Sequence, residues 1–128
     1  IIWLASYHKS GNTLLRSILQ LFFSKEGEFK FDYLYKIEQF PSISNFENIG
    51  VDVLDEKKVC NNFIQAKKLI NKEKNKVKFI KTHSSLSRIN DSNFTDLENT
   101  MGAVYIVRDP RNVITSLKII MSLVMIRH

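Results

Sequence analysis

The chain has 128 residues, 44% of them hydrophobic, and a formal net charge of +6 at pH 7. That length holds at most one domain, and the apolar share is ordinary for a globular core. A lone cysteine, Cys60, excludes an internal disulfide framework and a zinc-binding spacing, and no apolar run reaches the ~20 residues that cross a bilayer.

The positive charge is read mainly as solvated lysine. The densest cluster, Lys67, Lys68, Lys72, Lys74, Lys76 and Lys78, is interspersed with Asn and Glu. It reads as a wet helix and turn, whereas a nucleic-acid footprint is a basic stripe interleaved with aromatics. No nucleic-acid or membrane partner is expected, and with no signal peptide visible the expected location is cytoplasmic. The first residues lie inside an apolar strand, and the last fall in the apolar run Ile119 to Ile126. The expectation is therefore a partial domain over residues 1–128, with its C-terminal part missing.

In chain order, Ile1 to Ala5 is a short apolar run that predicts a buried strand. A polar stretch, Ser6 to Asn12, follows. Thr13 to Phe23 then carries Leu14, Leu15, Ile18, Leu19 and Phe22 at helical spacing. Lys25 to Val53 is aromatic and polar. Its alternation at Phe29, Phe31, Tyr33 and Tyr35 is compatible with a strand, but the reading adopted is loop and short helix covering the sheet edge. Lys57 to Ile70 predicts one helix with Val59, Phe63, Ala66, Leu69 and Ile70 on one face and Cys60 half-buried. Val77 to Ile80 predicts a second strand. Ser84 to Thr100 reads as surface loop with one short helix. Ala103 to Val107 predicts a third strand, and Arg111 to Met125 a helix with Pro110 in its first turn and Asp109 as N-cap. Apolar strands without alternation suit a parallel sheet covered on both faces, so the fold class is α/β.

In open α/β sheets, ligands bind beyond the carboxyl ends of the strands. Each strand here runs straight into polar residues. The first gives Ser6, His8, Lys9, Ser10, Gly11, Asn12 and Thr13; the second gives Lys81, Thr82 and His83; the third gives Arg108, Asp109, Pro110 and Arg111. The first set has the makings of a phosphate cradle. A helix start offers free N–H groups and partial positive charge, Gly11 allows close backbone approach, and Lys9, Ser10 and Thr13 add charge and donors. It is not the G-x-x-x-x-G-K-[ST] sequence, because the Lys precedes the Gly and no earlier Gly is present.

These three segments resemble the motifs of a known family. S-Y-H-K-S-G-N-T at 6–13 resembles the 5′-phosphosulfate loop of sulfotransferases that use 3′-phosphoadenosine 5′-phosphosulfate (PAPS). K-T-H at 81–83 resembles the strand end bearing their catalytic His. Y-I-V-R-D-P-R-N-V-I-T-S at 105–116 resembles their 3′-phosphate motif. The resemblance brackets Trp3 to Ser116 and implies a P-loop-like, three-layer α/β fold with a central parallel sheet. It implies sulfuryl transfer from PAPS, with no metal, to a hydroxyl or amine on a small molecule or glycan. Lys9 would contact the bridging oxygen, and Ser10, Gly11, Asn12 and Thr13 would hold the 5′-phosphate. Lys81 would neutralise the sulfuryl oxygens, His83 would be the general base, and Arg108 and Ser116 would bind the 3′-phosphate. Two positions depart from the family pattern: His8 stands where the family usually has Pro, and Leu14 where many members have an adenine-stacking Trp.

Two other readings compete. A P-loop kinase or NTPase needs an acidic residue at a strand end for magnesium, and Asp109 is the one candidate. A truncated, non-catalytic nucleotide-binding fragment is the other.

Overall fold

A computed structural model describes residues 1–23, 31–72, 76–85 and 87–125. β1 (Ile2–Ser6) is the middle strand of a three-stranded parallel sheet, flanked by β2 (Phe79–Thr82) and β5 (Gly102–Ile106) in the order β2-β1-β5. The register sets Leu4 beside Lys81 and Val104, and Ala5 beside Thr82 and Tyr105. All three carboxyl ends therefore finish at one edge. Beyond β2, Lys81 N–H donates to the Glu38 carbonyl and Phe40 N–H to the Lys81 carbonyl, so residues around Gln39 add a short parallel bridge.

Two long helices follow two of these strand ends. α1 (Asn12–Phe23) leaves β1, and α5 (Pro110–Met125) leaves β5. Asp109 caps α5 as expected: its carboxylate accepts from Arg111 N–H, and its carbonyl accepts from Asn112 and Val113 N–H. The other face of the sheet, with Trp3 and Ile80, packs against α2 (Ile43–Glu47), α3 (Glu56–Asn61) and α4 (Phe63–Ile70). Its core is aromatic. Trp3, Phe40, Phe46, Phe63 and Phe94 are buried, with ring centroids 5.3–6.0 Å apart in tilted or edge-on pairs. The α/β class with helices on both faces of a parallel sheet agrees with the sequence expectation.

Several local expectations differ. Residues 57–70 form two helices, because Asn62 leaves helical geometry at φ −103°, ψ 8° and turns its amide back to the Lys58 carbonyl at 2.8 Å. Cys60 is fully rather than half buried. The segment 25–53 holds a 3-10 helix at Phe31–Lys36 and α2, in keeping with loop and short helix; residues 24–30 lie outside the described set. The polar stretch 84–100 carries no helix among its described residues. It makes a hairpin of β3 (Arg88–Ile89) and β4 (Ser92–Asn93), turned by Asn90 and Asp91 at φ 49° and 62°. Its Phe94 is wholly buried against Trp3, so this stretch forms a wall of the core as well as surface.

The largest correction concerns Lys67, expected in a solvated cluster. It is fully buried, with Nζ 4.8 Å from the Phe94 ring centroid, 5.5 Å from Phe40 and 5.8 Å from Trp3, and without a hydrogen-bond partner. The three π-faces attract the cation, but they do not replace the hydrogen bonds it made in water. Burial brings its pKa down from 10.5 to about 8, opposed by the negative charge of Asp96. The unfolded chain thus binds the extra proton between those values. Stability falls as pH drops from about 10.5 to about 8 and carries a constant penalty below. Lys67→Met, which fills the same space without the charge, is expected to raise stability at pH 7 by about 1–3 kcal/mol. It should also flatten the pH dependence between 8 and 10.5 in denaturant titrations; a destabilised variant would mean that the aromatic cage is net favourable.

Candidate functional site

The loop after β1 is shaped by two left-handed residues, Lys9 at φ 62° and Gly11 at φ 106°. Only glycine takes the second without strain. Ser10 N–H bonds back to the Tyr7 carbonyl, and the first helical bond of α1 runs from Leu15 N–H to the Gly11 carbonyl. Helix geometry leaves the amides ahead of Leu15 without intrahelical acceptors. They sit at the positive end of a helix whose first turn has no acidic residue. The loop is pinned from beneath. Asn12 is buried, and its amide donates to the Leu4 carbonyl at 2.8 Å and the Ser6 hydroxyl at 3.1 Å. Thr13 and Lys9 are exposed, while Ser10 is buried.

At the β2 end, Lys81 Nζ donates to Gln39 Oε1 at 2.9 Å. Burial, then the positive charges of Arg16 and Lys9, hold its pKa below the usual lysine range. His83 Nδ1 lies 2.7 Å from the Ser6 carbonyl. A carbonyl only accepts, so Nδ1 carries the proton and donates, and the lone pair stands on Nε2. Burial pushes the His83 pKa down, and Lys81, His8 and Arg16 push the same way against the Ser6 bond. The ring is therefore a neutral base at neutral pH. His8 stacks on it with centroids 4.0 Å apart and planes at 31°.

At the β5 end, Arg108 Nη1 donates to the Lys9 carbonyl at 3.0 Å and to Ser116 Oγ at 3.3 Å. One guanidinium thus joins the loop after β1 to α5, reaching along the helix to a residue two turns from its start. Arg111 is engaged elsewhere, in a 2.6 Å ion pair that holds the Asp109 carboxyl below its ordinary value. The structure brings together Lys9, Ser10, Gly11, Asn12, Thr13, Lys81, His83, Arg108 and Ser116 at one sheet edge. The Asn12 side chain faces inward as a clamp, leaving its backbone N–H for any ligand.

Two residues at this edge were missed in the sequence. Arg16 donates to the Leu34 carbonyl at 3.2 Å, while its Nε is buried without a partner. It lies three residues after Thr13, on the face of α1 that carries the loop, so helical periodicity would have found it. Gln39, the partner of Lys81, left no signal, because the bridge that delivers it joins segments 42 residues apart.

Two cavities open here. One of about 390 Å³ is lined by Ala5, Ser6, Tyr7, His83, Ser84 and Tyr105. The other, about 470 Å³, is lined by Tyr7, Ser10, Arg108, Val113 and Leu117. Tyr7 walls both. A larger cavity of about 700 Å³, around Leu19, Phe23, Ile37 and Phe79, contains none of the site residues. Chemically, the edge offers anion-binding amides, four cations and, on His83, a neutral imidazole whose acceptor nitrogen is the one not bonded to Ser6.

A family model described as sulfotransferase domain matches residues 1–121. No curated protein and no solved structure matches the chain.

The clamp is open to test. Asn12→Ala removes both bonds to β1 and is expected to lower stability by about 1–2 kcal/mol. It should also weaken binding of inorganic pyrophosphate in calorimetric titration, because the loop loses its anchor. Unchanged stability and affinity would show that the loop holds its shape without Asn12.

Proposed function

The chain belongs to the sulfotransferase domain family, and from that membership we propose that it transfers a sulfuryl group from PAPS to a hydroxyl or amine on a small-molecule or glycan acceptor. The observation that carries this reading is the convergence of three strand ends on one edge, with Arg108 hydrogen-bonded to both the Lys9 carbonyl and Ser116. A guanidinium and a hydroxyl beside the loop suit a second phosphate, distinct from the one held by the amides of Gly11 to Thr13; the Ser10 N–H is turned to the Tyr7 carbonyl. The residues present fit the donor's two charged ends, while Leu14, exposed where a stacking ring is common, leaves adenine to be held by other contacts.

The donor supplies an activated sulfur. His83 takes the acceptor's proton on Nε2 as the new bond to sulfur forms. Lys9 stabilises the charge that gathers on the phosphate oxygen as the old bond breaks. Lys81 neutralises the sulfuryl oxygens, and Arg108 with Ser116 anchors the 3′-phosphate. Such transfer gains chiefly from alignment and from fixed cations near developing charge. The 390 Å³ cavity beside His83, with Tyr7 and Tyr105 in its wall, gives an acceptor room to reach the imidazole.

Titration of the intact protein should show 3′,5′-diphosphoadenosine binding far more tightly than AMP, and Arg108→Ala should cost about 1.5–3 kcal/mol of that affinity. Equal affinity for both nucleotides would remove Arg108 from the 3′-phosphate role.

His83→Ala should keep diphosphoadenosine affinity and lower turnover at least ~10²-fold. Wild-type turnover should fall in acid as the imidazole gains a proton. The fall should come below the ordinary histidine value of ~6.5, because the fold depresses the His83 pKa. A His83→Ala variant with full turnover would end the base assignment.

A further inference from the structure

The His83 ring is tied to the protein by one strong hydrogen bond, Nδ1 to the Ser6 carbonyl at 2.7 Å; the Ser6 hydroxyl at 3.4 Å is a weak second contact. A ring held at one atom can still rock about that bond, and Nε2, on the far side, swings furthest. The face of the ring is covered by His8, with centroids 4.0 Å apart. His8 is itself placed by the loop: Lys9 follows it in left-handed geometry, and the Tyr7 ring meets it edge-on at 6.0 Å. We propose that His8 is a positioning residue: it stacks on His83, fixes the plane of that ring and, through it, sets the acid limb of turnover. The inference rests on the reading of His83 as the base.

The electrostatics point the same way. The charged or titratable groups acting on His83 are Lys81 on β2 just before it, His8 on the loop after β1, and Arg16 on α1, and all three oppose a positive charge on the ring. His8 also stacks on the ring, so its opposition to that charge and its hold on the ring plane come from one contact.

Two substitutions separate the parts. His8→Phe keeps a flat ring over His83 and removes the charge; His8→Gly removes both. Ring-proton NMR of the intact protein, with His83 assigned by its own substitution, reads the midpoint directly. In His8→Phe that midpoint should rise, because the charge that His8 sets against the ring is gone. The acid limb of turnover should move with it, while turnover at pH 8 stays near wild type. In His8→Gly turnover at pH 8 should fall about tenfold as Nε2 loses its alignment. Affinity for diphosphoadenosine should hold within about twofold in both, since a change there would trace the loss to the phosphate loop and overturn the inference. A His83 midpoint identical in all three proteins, or full turnover at pH 8 in His8→Gly, overturns it equally. Failure of the base reading has a different signature: undiminished turnover in His83→Ala.

Discussion

Ser6 is the point to which the whole site is referenced. It is the last residue of the central strand, buried, and paired in register with Ile106 on β5. Its hydroxyl receives the Asn12 amide, and its carbonyl receives His83 Nδ1. One residue thus fixes the start of α1, the ring of the base and the level of the β5 exit. Lys9 and Gly11 lie between two anchored points, Ser6 and Asn12, so the loop has little freedom to open. The Arg108 bond to the Lys9 carbonyl then ties this assembly to the third strand end.

Most of this edge was legible in the sequence for a simple reason. Short apolar runs followed at once by polar residues describe parallel strands ending at a ligand-binding rim, and the rim chemistry sits within a few residues of each run. Lys9, His83 and Arg108 stand out locally. What escaped depends on local side-chain and turn choices and, for Lys67, on long-range packing. Asn62 splits a helix because its side chain competes for the Lys58 carbonyl, a choice that periodicity does not register. The hairpin at 88–93 rests on two left-handed residues, Asn90 and Asp91, in a stretch too polar to look like strand. Lys67 was read as solvated because lysine nearly always is. Its burial is decided by three rings contributed by β1, the residue after Gln39 and the segment after β4.

The edge is also electrostatically lopsided. Lys9, Arg16, Lys81 and Arg108 gather around one neutral imidazole, while Asp109, the acid closest in sequence, is spent on Arg111. Unligated, such a group of cations costs folding free energy through mutual repulsion. A polyanion arriving there removes that repulsion and binds the folded chain only, so ligand affinity and stability are linked. Burial and then the same field oppose a charge on His83, and among the described residues no carboxylate acts on the ring. A carbonyl does the orienting, and its bond favours the imidazolium without outweighing burial and the cations.

Lys67 has a consequence for experiments on the chain as a whole. A lysine that titrates near 8 is a strong nucleophile in mildly alkaline buffer, yet this one is sealed beneath α4 and the aromatic wall. Acylating reagents reach the surface lysines at once and Lys67 only when α4 lifts. Its labelling rate, read by mass spectrometry of the peptide that carries it, is therefore a built-in clock for opening of the core. No probe has to be introduced, and the exposed lysines of the same chain supply the unprotected reference.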